Sequence, residues 1–181
     1  MQLSPLQLLE YMFDGISVMP LEGYEPEEKF SPSLVFFPGK LAMSADTGVV
    51  LLLEEKKYSD FGVKLTLRVG PKDDSEAPYR VEIAVRGVVC MHLTQDTGQA
   101  EERRVRALVN GVSLLYGVVR EMVTNITARS IHGQMLLPSL NFSDLALHKP
   151  EEVQVVEKAK AKKTPGAVRK TAVSKAKAKV R

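Results

Sequence analysis

The side chains able to do covalent or metal chemistry are few and poorly spaced for it. The chain has one cysteine, Cys90, inside the apolar run Val88-Val89-Cys90-Met91. A lone thiol cannot close an internal disulfide, and these neighbours read as a buried strand in which Cys90 acts as a small core hydrophobe. The three histidines, His92, His132 and His148, are 40 and 16 residues apart, and none stands at a metal-ligand spacing from Cys90. Glu54-Glu55, Asp73-Asp74 and Glu101-Glu102 are adjacent acids, which point apart on strands and most loops. They read as solvated or helix-starting charge rather than as an acid–base pair. Gly15, Gly23 and Gly39 are isolated, so there is no phosphate-cradling loop. No Ser/His/Asp set stands out, and Arg120-Glu121 falls inside a helical stretch. The expectation is a protein with no catalytic residues, no metal and no cofactor.

The elements that carry these residues have distinct periods. Leu6 to Val18 reads as a strand, bent at Asp14-Gly15, with a loop from Pro20 to Pro26 marked by Gly23. Phe30 to Phe37 begins extended and is interrupted by Pro38-Gly39. Pro38 to Thr47 fits either a strand or a loop. Val49 to Leu53 is a continuous apolar run, compatible with a buried strand. Val63, Leu65, Leu67 and Val69 alternate with polar residues, as do Tyr79, Val81, Ile83 and Val85, with a polar loop between the two runs. That pattern predicts an antiparallel hairpin with one face on a core.

After Gly98 the period changes. Glu101 and Glu102 suit a first helical turn, and a helix is expected to run to about Arg129, with a break or kink at Asn110-Gly111. Val112, Leu115, Tyr116, Val119, Met122, Val123 and Ile126 share one helical face. Leu114, Gly117 and Val118 lie on the other side, so a second apolar cover, such as another subunit, is expected. An extended apolar run follows from Gly133-Gln134 through Pro138 to Asn141-Phe142. Pro150-Glu151-Glu152 resembles a helix start, predicting a short helix over 149–157.

The 181 residues carry 25 basic and 22 acidic side chains, but the balance is uneven. Ten basic and no acidic residues lie between Lys158 and Arg181, so acids outnumber bases by seven in residues 1–157. A basic whole-protein character would therefore misdescribe the domain. The 158–181 segment is rich in Lys and Ala and has too few large apolar groups to offset the entropy of ordering, so it is expected to be disordered. Lys158, Lys160, Lys162, Lys163, Arg169, Lys170, Lys175, Lys177 and Lys179 are candidate contacts for a polyanion, nucleic acid or an anionic surface. The start of the chain shows no basic region followed by a long apolar run, and no stretch reaches the roughly 18 apolar residues of a membrane span. With the single thiol, this suggests a reducing, cytoplasmic compartment.

The order of elements from residue 6 to 147 resembles the SecB family of bacterial protein-export chaperones. The most specific part runs from Arg120-Glu121 through Gly133-Gln134 and Pro138 to Leu140-Asn141-Phe142. Phe30-Ser31-Pro32-Ser33-Leu34-Val35-Phe36 is similar to the family's aromatic-x-Pro segment, with Phe30 in the position usually held by Trp. Tyr79 to Val89 resembles the strand before the family's long helix, and Gly117 stands where many relatives carry Pro. The resemblance implies an α+β subunit over residues 1–148, a four-stranded antiparallel sheet packed with a long helix, assembling as a homotetramer from two dimers.

The resemblance also implies an ATP-independent holdase that keeps unfolded precursor polypeptides competent for export and passes them to the SecA motor. The implied groove residues are Phe30, Leu34, Phe36, Tyr116, Met135, Leu137, Leu140 and Phe142. Glu82 matches one acidic position of the family's SecA contact, while Gly15 and Met19 replace acids there. A chaperone dedicated to one client, such as an antitoxin, fits the same pattern.

Overall fold

The computed structural model describes residues 4–24, 41–72, 77–94 and 98–147. Phe30, Leu34 and Phe36, the expected extended segment around them, the short helix over 149–157 and the expected disorder of 158–181 lie outside these residues. The described chain is α+β, as expected. Four strands, β1 (Leu6–Pro20), β2 (Leu41–Glu54), β3 (Tyr58–Pro71) and β4 (Tyr79–His92), precede one long helix, α1 (Ala100–Thr127), and a short 3-10 turn at Ser143–Ala146. The strands form a single antiparallel sheet in the order β1-β4-β3-β2, which leaves β1 and β2 at the edges.

The central hairpin forms as its alternation predicts. Leu65 pairs with Val85 and Leu67 with Ile83, which puts the odd-numbered residues of β3 and β4 on one face. That face carries the core: Phe61, Val63, Leu65, Leu67 and Val69 meet Tyr79, Val81, Ile83, Val85 and Val89 under Leu108, Val112, Leu115, Val119 and Val123 of α1. The even-numbered positions, Lys64, Arg68, Arg80, Glu82 and Arg86 among them, face away from the helix. Cys90 is buried as expected, but on that outer face, paired in register with Asp60. Burial, then Asp60, pushes its thiol up to about 11, so it stays protonated and unreactive at neutral pH.

β1 bends where Asp14-Gly15 suggested, and once more besides. Its register against β4 shifts between Leu8 and Glu10 and again between Phe13 and Gly15. Each shift inserts one residue, a β-bulge that reverses the alternation. Leu6 and Leu8, then Tyr11 and Phe13, then Ile16 and Val18 therefore all share the helix side, although they are unevenly spaced. Gly87 stands opposite Tyr11, and a Cβ there would come within 2.9 Å of the Glu10 carbonyl oxygen.

Two expectations are corrected. Val49 to Leu53 is not a buried strand. Val49 is buried, but Leu51, Leu52 and Leu53 are 45, 55 and 44% exposed. The run ends an edge strand, and a register shift between Leu51 and Leu53 turns consecutive residues to different sides. Nor does Asn110-Gly111 break the helix, which is continuous from Ala100 to Thr127. Gly111 allows close approach instead: a Cβ there would lie 2.8 Å from Val63 Cγ2. The helix-breaking tendency of glycine, about 1 kcal/mol, yields to tertiary packing. Residues 41–47 of the ambiguous Pro38–Thr47 stretch are strand.

Candidate polypeptide-binding surface

The surface is built by one long helix, one extended segment and one edge strand. After α1 the chain turns through residues 128–132, with Gly133 at φ +77°, a backbone value that favours glycine. It then runs back along the helix as an extended strap, residues 134–142. Side chains one and two turns apart along α1 hold the strap by its main chain. Thr127 Oγ1 accepts from the Met135 amide at 2.8 Å, Arg120 Nε donates to the Leu137 carbonyl at 3.0 Å, and the Tyr116 hydroxyl donates to the Pro138 carbonyl at 2.5 Å. The ring of Phe142 packs edge-on against Tyr116 with centroids 5.4 Å apart. Burial pushes the Tyr116 phenol up to about 12, against a smaller opposing effect of Arg120, so it remains a donor at all ordinary pH.

These contacts locate the expected groove residues. Tyr116, Met135, Leu137 and Phe142 come together, but each is at most 8% exposed and belongs to the core. Leu140 alone of the described candidates reaches solvent, at 38% exposure, and its strap neighbour Leu136 does so as well. Groove and core share the same residue types, so composition did not separate them.

The larger apolar exposure is elsewhere, and sequence reasoning missed it. Leu9, Tyr11, Met12, Ile16 and Met19 on β1 are each 43–59% exposed. The two bulges distribute them on both faces: Tyr11 and Ile16 share the helix side, Met12 and Met19 the outer side. The outer edge of this 15-residue strand, unpaired among the described residues, runs between them. The signal was present in the density of apolar residues from Leu6 to Met19, without strict alternation, which neither a one-sided nor a central strand requires. On α1, Leu114 is also exposed, and Val118 and Met122 are half-buried on the helix flank outside the packed face.

The outer face of the sheet holds a shallow depression of about 560 Å³, floored by Gly48, Gly62, Val50, Leu52 and Val88 and reached by Met12, Lys64 and Arg86. Its charges balance, with Glu10 and Asp14 also on its rim. Asp14 pairs with Arg86 at 3.1 Å. Farther along the face, Arg68 bridges Asp46 at 2.6 Å and Glu82 at 3.0 Å. Glu82, the candidate SecA contact, is thus exposed but already ion-paired. Among the described residues twelve acids face twelve bases. The acidic excess of residues 1–157 falls in the stretches outside them. No group of three or more metal-binding side chains occurs among the described residues, and no described helix is long and apolar enough to cross a membrane.

No family model matches the chain, and no curated protein matches it. Among solved structures the chain is similar to a Mycobacterium tuberculosis SecB-like chaperone, Rv1957, in complex with a ChAD peptide from the Rv1956 HigA1 antitoxin. The identity is 15%, the match covers 75% of this chain and 90% of that one, and the TM-score is 0.49. It is also similar to a protein of unknown function from Streptococcus agalactiae, with 10% identity, 74% and 96% coverage and a TM-score of 0.45. At these identities and scores, neither likeness extends to function.

Proposed function

We propose that this chain is an ATP-independent holdase that captures extended, unfolded polypeptides on apolar surface and releases them unchanged. The observation that carries the reading is the β1 edge: paired with β4 on one side only among the described residues, and flanked on both faces by exposed Leu, Tyr, Ile and Met side chains. Unfolded chains have in common their apolar side chains and unpaired main-chain groups. An edge strand meets the second by strand addition, and the flanking side chains meet the first. Met12 and Met19 suit varied partners because the unbranched thioether adapts to shape. Burying about 200 Å² of apolar surface supplies about 5 kcal/mol at 25 cal/mol per Å², before the cost of association. That magnitude fits weak, reversible, sequence-tolerant capture.

In this proposal the strap divides the expected groove residues by role. Tyr116, Met135, Leu137 and Phe142 fix its position, and Leu136 and Leu140 meet the client, joined by Phe30, Leu34 and Phe36 of the segment outside the described residues. The apolar flank of α1 at Leu114, Val118 and Met122 is the surface we assign to subunit contacts of a homo-oligomer, with the tetramer as the expected state. Delivery to export is the finer reading that the sequence resemblance adds. A SecA contact at Glu82 would have to compete with Arg68.

The test is light scattering from a denatured client diluted into buffer without nucleotide. Suppression of aggregation at near-stoichiometric amounts, for several unrelated clients, supports a general holdase. Suppression for a single client would narrow the reading to a dedicated chaperone, and no suppression would refute it.

A further inference from the structure

The described methionines differ sharply in their access to solvent. Met91 and Met135 lie in the core at 4 and 3% exposure, whereas Met12 and Met19 are 59 and 54% exposed. Both exposed thioethers stand on the outer side of β1, opposite Arg86 and Arg80 of β4. On the basis of the holdase reading, we propose that Met12 is a reversible oxidation site. Conversion of its thioether to the sulfoxide by a peroxide-class oxidant weakens client capture on this face, and reduction restores it.

Arg86 singles out Met12. Its Nη2 donates to Met12 Sδ at 3.5 Å while its Nε holds Asp14 at 3.1 Å. The guanidinium is thereby fixed beside the β1 bulge between Phe13 and Gly15. A thioether sulfur is a weak acceptor, but a sulfoxide oxygen on that sulfur is a strong one. The same guanidinium then binds the new oxygen through a charge-assisted hydrogen bond and ties the oxidised side chain to the sheet. An adaptable apolar contact becomes a fixed polar one, at the rim of the depression floored by Val50, Leu52, Gly62 and Val88. The thiol of Cys90 is buried and does not compete for the oxidant. In the oxidation, a sulfur lone pair attacks one oxygen of hydrogen peroxide, and an S–O bond forms as the O–O bond breaks. The departing hydroxide takes the proton left on the transferred oxygen and becomes water. Sulfur loses two electrons and the peroxide gains them. A dithiol reductase returns two electrons and two protons, releasing the oxygen as water and closing its own disulfide.

The experiment treats the full chain with hydrogen peroxide under native conditions and locates the sulfoxides by peptide mass. Binding to a fluorescein-labelled, carboxymethylated unfolded polypeptide is followed by anisotropy before and after treatment, and denaturant melts check that the fold survives. Full-length Met12→Leu, Met19→Leu and Arg86→Gln variants pass through the same steps. Each protein is judged by its own ratio of affinities before and after peroxide, so its starting affinity does not enter. We expect Met12 and Met19 to be oxidised while Met91 and Met135 are spared. Client affinity should fall about tenfold, as loss of one methionine's apolar burial requires, and should recover with methionine sulfoxide reductase and dithiothreitol. The ratio should stay near one in Met12→Leu, fall fully in Met19→Leu and fall only in part in Arg86→Gln. Unchanged affinity once Met12 is oxidised, or an equal fall in Met12→Leu, would overturn the proposal. A full fall in Arg86→Gln would overturn the part given to Arg86. Absence of client binding by the untreated chain would refute the holdase reading and this proposal with it, so the untreated control separates the two failures.

Discussion

The strap and the β1 edge treat apolar surface in opposite ways. At the strap the apolar surface is closed by the chain itself: the strap lays Met135 and Leu137 into the core, and Thr127, Arg120 and Tyr116 bond its main chain. At the other, β1 leaves Tyr11, Met12, Ile16 and Met19 in solvent beside an edge that no other described strand pairs with. Natural sheets usually blunt such edges with charge, proline or cover. The strap shows how this chain satisfies an extended segment when it has one. Among the described residues no segment covers the β1 edge, and that contrast is the physical basis for placing client binding there.

The largest way to break the comparison is to open the closed side. Leu137→Ala removes a fully buried side chain and should lower unfolding free energy by about 2–5 kcal/mol, read by denaturant melts. Thr127→Val keeps the volume but leaves the buried Met135 amide without its acceptor, so a loss of about 1–3 kcal/mol is expected. Gly111→Ala sets helix propensity against packing. The Cβ meets Val63, and a net loss of about 1 kcal/mol is expected where an exposed helical site would gain. A stability gain would mean that the helix sits farther from β3 than described.

The open side should respond in the reverse manner. Met12→Lys, Ile16→Lys and Met19→Lys should each change stability by no more than about 0.5 kcal/mol while weakening client capture. The smallest effect concerns Cys90. Its thiol is pushed up to about 11 by burial, against an ordinary value near 8.5 in the unfolded chain. The native protein should therefore alkylate slowly up to about pH 9, and the denatured protein quickly. By linkage, this raised acid contributes a stability loss that grows as pH rises from the unfolded value towards the folded one. Rapid native labelling at neutral pH would place Cys90 outside the sheet.

Much of this architecture was legible because the chain states its periods clearly. Val63 to Val69 alternate without exception and Tyr79 to Val85 with Ala84 as the one apolar residue on the outward side, so the central hairpin and its core face followed from side-chain direction alone. The helix and the strap were legible for the same reason. What failed was tertiary in origin. Whether an apolar run such as Val49–Leu53 is covered depends on its place in the sheet order, which no local pattern encodes. Gly111 reads as a breaker until Val63 is known to lie against it. Among the expected groove residues, the sequence could not tell that Leu137 is buried in the core while Leu140 is exposed. The β1 surface was missed because two bulges mix the faces and erase the alternation that would have announced it.

The exposed β1 edge is proposed to hold unfolded polypeptide. The most direct test is suppression of client aggregation, without nucleotide, by the unaltered chain and by the combined Met12→Lys, Ile16→Lys, Met19→Lys variant, after denaturant melts show the two equally stable. Suppression by the first and its loss in the second are expected. Equal suppression by both would contradict it.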